Sequence, residues 1–173
     1  MDPEFQKYIP ADFHPQSRVW IYQCSRIISM QEALQVEDAL EQFTDNWKSH
    51  GAPVKGYANL FYGQFIVVMA DETATQVGGC STDSSVHVIK SFEQQFGVNF
   101  FDRNCLAFII KDKVQLLPLN QLSYGVENGF IGPDTLYFNN TVQTKGDLLE
   151  NWIIPVKKSW LVTRINFEKS VPS

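Results

Sequence analysis

Apolar and polar positions first alternate at Arg18-Val-Trp-Ile-Tyr-Gln-Cys24, a run rich in β-formers that predicts a strand. The period then lengthens. Val36, Leu40, Phe43 and Trp47 fall on one helical face, behind Ser29 and Glu32 in capping-box spacing. This helix is expected to run to about His50, with Gly51 and Pro53 as its stop. Tyr57 to Tyr62 and Phe65 to Asp71 read as two strands joined by a hairpin turn at Gly63-Gln64. A second helix is expected from Thr82 or Asp83, with Val86, Ile89, Phe92 and Phe96 as its buried stripe and Gly97 as its end. Cys105 to Ile110 and Val114 to Leu117 form a further hairpin around Lys111-Asp-Lys113.

The order strand, helix, strand, strand, helix, strand predicts an α+β fold with a ferredoxin-like split βαβ core. Its antiparallel sheet would carry both helices on one face. The C-terminal extension holds a short helix within Leu119 to Asn128, a turn at Gly132-Pro133 and a strand at Thr135 to Asn139. Thr144 with Asp147 caps a further short helix through Trp152, which Pro155 interrupts, and Ser159 to Phe167 is apolar enough to dock. Ile21, Leu40, Phe43, Phe65, Val67, Ile89, Phe92 and Ile109 are the expected shared core.

Composition narrows the function classes. The chain has 173 residues, 44% of them hydrophobic and 19% charged, with a net charge of −5. That is a globular composition with room for a real core, and the acidic balance argues against binding nucleic acid. The longest apolar run, Phe65 to Ala70, is too short to span a bilayer. Met1-Asp-Pro-Glu-Phe5 reads as residue of a cloning site, which leaves residues 6–173 as one expected domain. The three cysteines, Cys24, Cys80 and Cys105, are odd in number and widely spaced, so a cytoplasmic protein with reduced thiols is expected. Asn139-Asn-Thr141 matches a glycosylation pattern that carries no weight in that compartment. No metal-ligand spacing or cofactor motif is present, so neither a metal nor a cofactor is expected.

Chemistry concentrates at Gly78-Gly-Cys-Ser-Thr-Asp-Ser-Ser85, where a thiol, hydroxyls and a carboxylate crowd a predicted helix start. Unpaired amides and the positive dipole end favour an anion there, and the same position lowers a thiol pKa. Ser81, Thr82, Ser84 and Ser85 are candidate binding residues, and Cys80 and Asp83 candidate catalytic ones. The plain alternative is capping by Thr82 or Asp83, with Cys80 as a small buried residue. Asp102 and Arg103 could clamp a carboxylate or phosphate, or make a surface ion pair of little worth. Asn139 and Asn140 could bind through their amides or form Asx turns. His50, at the expected helix end, would gain from the dipole.

Taken together, Trp47-x-x-His50-Gly51, Gly79-Cys-Ser-x-Asp-Ser-Ser85, Phe101-Asp-Arg103, Asn139-Asn140 and Ser159-Trp160 resemble a family of small Bacteroidetes proteins commonly labelled "ABC transporter ATPase". The resemblance runs from about Tyr8 to Arg164 and implies a bacterial protein without an assigned catalytic residue. The residues do not support the label. In Gly51-Ala-Pro-Val-Lys-Gly56 the glycines have P-loop separation, but Tyr57 stands where the essential lysine belongs. Leu122-Ser-Tyr-Gly125 is only a fragment of a transporter signature. The expectation is a cytoplasmic binding or regulatory module with a small-molecule or protein partner at the start of the second helix. The alternatives are a small thiol-dependent enzyme using Cys80 and Asp83, or a structural subunit that buries surplus aromatics against a partner.

Overall fold

The computed structural model describes residues 1–169, the side chains of Cys80 and Lys169 excepted. The fold is mixed α+β with antiparallel sheets, in two compact units. One comprises Glu4–Asp102 with Thr141–Leu149, and the other Met1–Pro3, Arg103–Asn140 and the chain from Glu150 onward.

In the first unit, strands β1 (Arg18–Gln23), β4 (Lys55–Phe61) and β5 (Phe65–Asp71) form a sheet in the order β1-β5-β4. Helix α1 (Met30–Asn46) starts as expected, with the Glu32 amide donating to Ser29 Oγ at 3.1 Å. It ends earlier than the periodicity implied. Trp47 turns out of the helix at φ −70°, ψ 123°, and its carbonyl accepts the Val54 amide at 3.0 Å. A small hairpin follows, β2 (Lys48–Ser49) against β3 (Ala52–Pro53). His50 and Gly51 turn it at φ 50° and 80°, so His50 sits in a left-handed turn and not at a helix C-terminus. The ring of Trp47 lies against Gly56, where an added Cβ would meet Trp47 Cε3 at 2.5 Å.

Every residue of β5 is buried, because both faces of this central strand are covered. Ile66, Val68 and Ala70 pack with Val36 and Leu40 of α1 and with Ile89 and Phe92 of helix α2 (Gly79–Phe96). Phe65, Val67 and Met69 point the other way, since strand side chains alternate. On that face the Phe5 and Tyr8 rings meet Phe61, and Phe13 meets Tyr57. The expected single core is therefore divided. Leu40, Ile89 and Phe92 share it with half-buried Phe43, while Phe65 and Val67 lie with Ile21 on the opposite face.

Ile109 belongs to the second unit, on strand β6 (Cys105–Ile110). Here β6, β7 (Lys113–Pro118), β8 (Leu136–Phe138) and β9 (Ile153–Pro155) form a sheet in the order β7-β6-β8-β9. Lys111 and Asp112 make the β6–β7 turn at φ 52° and 61°. β6 buries Leu106, Ala107 and Phe108 in succession, and β7 and β8 flank it. The other edge of β1 is bridged from Arg18 to Thr144, and the Val19 amide donates to the Gln143 carbonyl. Helix α3 (Leu122–Glu127) adds Leu122 and Val126 to a core with Phe108, Tyr137, Val156 and Leu161. Helix α4 (Lys145–Asn151) is capped by Thr144, whose Oγ1 accepts the Asp147 amide at 3.1 Å. No helix among the described residues is long and apolar enough to cross a membrane.

Candidate functional site

The start of α2 is built from the two glycines. Gly78 is the N-cap at φ −79°, ψ 175°, and no side chain caps the helix. This corrects the expected cap at Thr82 or Asp83: the helix begins three residues before Thr82, so both lie inside it. The hydroxyls donate inward to carbonyls. Ser81 Oγ donates to Lys48 O at 2.8 Å, Thr82 Oγ1 to Gly78 O at 3.2 Å, and Ser85 Oγ to Thr82 O at 2.6 Å. The β2–β3 hairpin covers this turn. Trp47 Nε1 donates to Ser81 O at 3.0 Å, and the Gly78 amide donates to Ser49 Oγ at 3.2 Å. A Cβ on Gly78 would come within 3.1 Å of His50 Nε2. The Trp47-x-x-His50-Gly51 and glycine-rich motifs thus meet in space, through backbone bonds that seat a helix. Asp83 and Ser84 are exposed on its outer side, and the Cys80 side chain lies outside the described residues.

The other sequence candidates scatter. Asp102 and Arg103 are exposed. Asn139 Nδ2 donates to Asn151 O at 3.2 Å, and Asn140 Oδ1 accepts from Trp152 Nε1 at 3.0 Å. These amides tie the end of β8 to the chain entering β9. Of the thiols, Cys24 is buried, and burial pushes it up, away from the reactive thiolate.

Two groupings escaped sequence reasoning. Asp71, at the end of β5, is a buried carboxylate, 4% exposed. Its Oδ2 accepts the His14 amide at 3.0 Å, and its Oδ1 accepts the amide and hydroxyl of Thr73 at 3.0 and 2.7 Å. Lys55 Nζ lies 3.8 Å away. The His14 amide, then the Thr73 bonds, hold the Asp71 carboxyl down to about 2, with a small further push from Lys55. Asp71-x-Thr73 is an Asx-turn spacing, the one local sign of this site. Nearby, the buried Lys145 ammonium donates to the Pro10 and Phe13 carbonyls, both at 2.8 Å. Together these groups strap the N-terminal segment to its unit.

The second grouping is a cleft in the unit of α3, with a volume of 340 Å³. Ser123, Val126 and Glu127 of α3 form one wall, and Thr163, Arg164, Ile165 and Asn166 the other. The turn Trp160–Arg164 sets the second wall, with Ser159 Oγ accepting the Leu161 amide at 3.2 Å and Leu161 fully buried. Arg164 lies over the Trp160 ring, 5.6 Å from its centroid. Among the described residues neither Glu127 nor Arg164 forms an ion pair.

No family model, curated protein or solved structure matches this chain.

The cleft therefore has to be read from its own chemistry. Its lining residues are apolar at Val126 and Ile165 and polar or charged at Ser123, Glu127, Thr163, Arg164 and Asn166. Among the described residues, no group of three or more His, Cys, Asp or Glu side chains is placed to hold a metal ion.

Proposed function

We propose that this chain is a cytoplasmic binding or regulatory module whose small-molecule ligand occupies the cleft between α3 and the turn Trp160–Arg164. One observation carries the reading: Glu127 and Arg164 line the same concavity, and among the described residues neither forms an ion pair. The cleft is favoured over the start of α2 because Ser81, Thr82 and Ser85 already donate to backbone carbonyls there. The three-stranded unit with its two helices is read as a ferredoxin-like split βαβ core lacking one edge strand. The resemblance to the Bacteroidetes family belongs to the same reading and brings no activity with it.

The test is an amide-resonance screen of the full chain against pooled metabolites at millimolar concentration. Binders should shift Ser123, Glu127 and Thr163. The variant Ser123→Trp, at an exposed position on the cleft wall, should abolish those shifts while thermal unfolding stays unchanged. Absence of any shift confined to these residues overturns the reading.

A further inference from the structure

We infer that the cleft takes a small zwitterion carrying a carboxylate and a protonated amine, as a free α-amino acid does. This rests on the cleft being the ligand site.

The two charges set the class. Arg164 presents a planar fork of donors that matches a carboxylate in two parallel bonds. The fork lies over the Trp160 ring, 5.6 Å from its centroid. Glu127 offers acceptors only, and as the last residue of α3 it sits at the negative end of its own helix. A ligand cation would relieve that position. Opposite charges that share a cleft and fail to meet leave a gap that a dipolar molecule spans. A polyanion such as a nucleotide would find one guanidinium and be repelled by Glu127. A simple cation would meet Arg164.

The neutral groups sort the same way. Thr163 Oγ1 donates to Trp160 O at 2.9 Å, so the oxygen keeps acceptor capacity for an ammonium. Asn166 Oδ1 accepts the Glu168 amide at 3.0 Å, so its NH₂ is the group left able to donate to a carboxylate. Ser123 serves either side. Val126 and Ile165 supply the apolar surface against which a Cα and a short side chain would rest. The 340 Å³ volume is at the small end of ligand pockets, roughly 300–1,000 Å³.

The experiment titrates the full chain with each proteinogenic amino acid, following the Ser123, Glu127 and Thr163 amide resonances. The tightest binder is then compared with its α-hydroxy acid, which lacks the ammonium, and with its primary amide, which lacks the carboxylate. Each analogue should bind at least about tenfold more weakly, the loss expected when a charge-assisted hydrogen bond is removed. Arg164→Gln should erase the preference for acid over amide. Glu127→Gln should erase the preference for amine over hydroxyl. Hydroxy acid and amino acid binding alike would overturn the zwitterion. So would a cleft that binds other metabolites but no amino acid, and that outcome leaves the binding module standing. A cleft that binds nothing overturns both.

Discussion

Replacing Asp71 by asparagine should destabilise its unit at neutral pH and do so progressively less in acid. The carboxylate accepts three hydrogen bonds, from the His14 amide and from the amide and hydroxyl of Thr73. These bonds favour the charged form and hold the folded carboxyl at about 2, against an unfolded value of 3.8. A depressed folded pKa contributes stability that is fully present above the unfolded value and is lost as pH falls through the folded one. The gap corresponds to about 2 kcal/mol, an upper figure given solvent screening of Lys55. In the asparagine variant one oxygen becomes an NH₂ facing a donor, which costs about 1–3 kcal/mol. Urea unfolding followed through amide resonances of the β1-β5-β4 sheet isolates this unit. At pH 7 the variant's midpoint should drop by about 1 M, for a slope of roughly 1–3 kcal/mol/M. Between pH 5 and pH 2 the difference should shrink by more than half. A variant as stable as the parent at pH 7, or a difference unchanged down to pH 2, would refute the reasoning.

Gly56→Ala should cost about 1–3 kcal/mol, since its Cβ would collide with the buried Trp47 ring, and loss of Trp47 burial should appear as a red-shifted emission. Ser29→Ala removes the acceptor for the Glu32 amide and should cost about 0.5–2 kcal/mol in chemical denaturation. Asp83→Ala, exposed and inside the helix, should change stability by under about 0.5 kcal/mol; a loss of cap size would restore the cap at that position. Purified protein should show no Mg-dependent ATP turnover, because Tyr57 replaces the phosphate-binding lysine; turnover abolished by a point change in this chain would contradict that.

Local grammar was legible where the partner groups are neighbours in the chain. Ser29 with Glu32, Gly97 at φ 63°, the Gly63 and Lys111-Asp112 turns and the Thr144 cap each join groups only a few residues apart. Short spacing makes such contacts nearly independent of the rest of the fold. Tertiary packing overrode the pattern elsewhere. Trp47 keeps helical spacing with Phe43, yet it leaves the helix with an extended backbone and packs its ring against Gly56. Phe65 and Ile66 look equivalent in an all-apolar run. Only the layers above and below β5 assign them to opposite faces. The hydroxyls of residues 81 to 85 marked a site in sequence because they are dense and reactive. In three dimensions Ser81, Thr82 and Ser85 spend their protons on carbonyls that the chain brings to them. The cleft reverses this. Ser123, Glu127 and Arg164 form no motif, since α3 and the turn Trp160–Arg164 are separated by two strands and a helix. Their meeting depends on how Val126, Val156 and Leu161 close one core, a long-range packing result that no local period encodes.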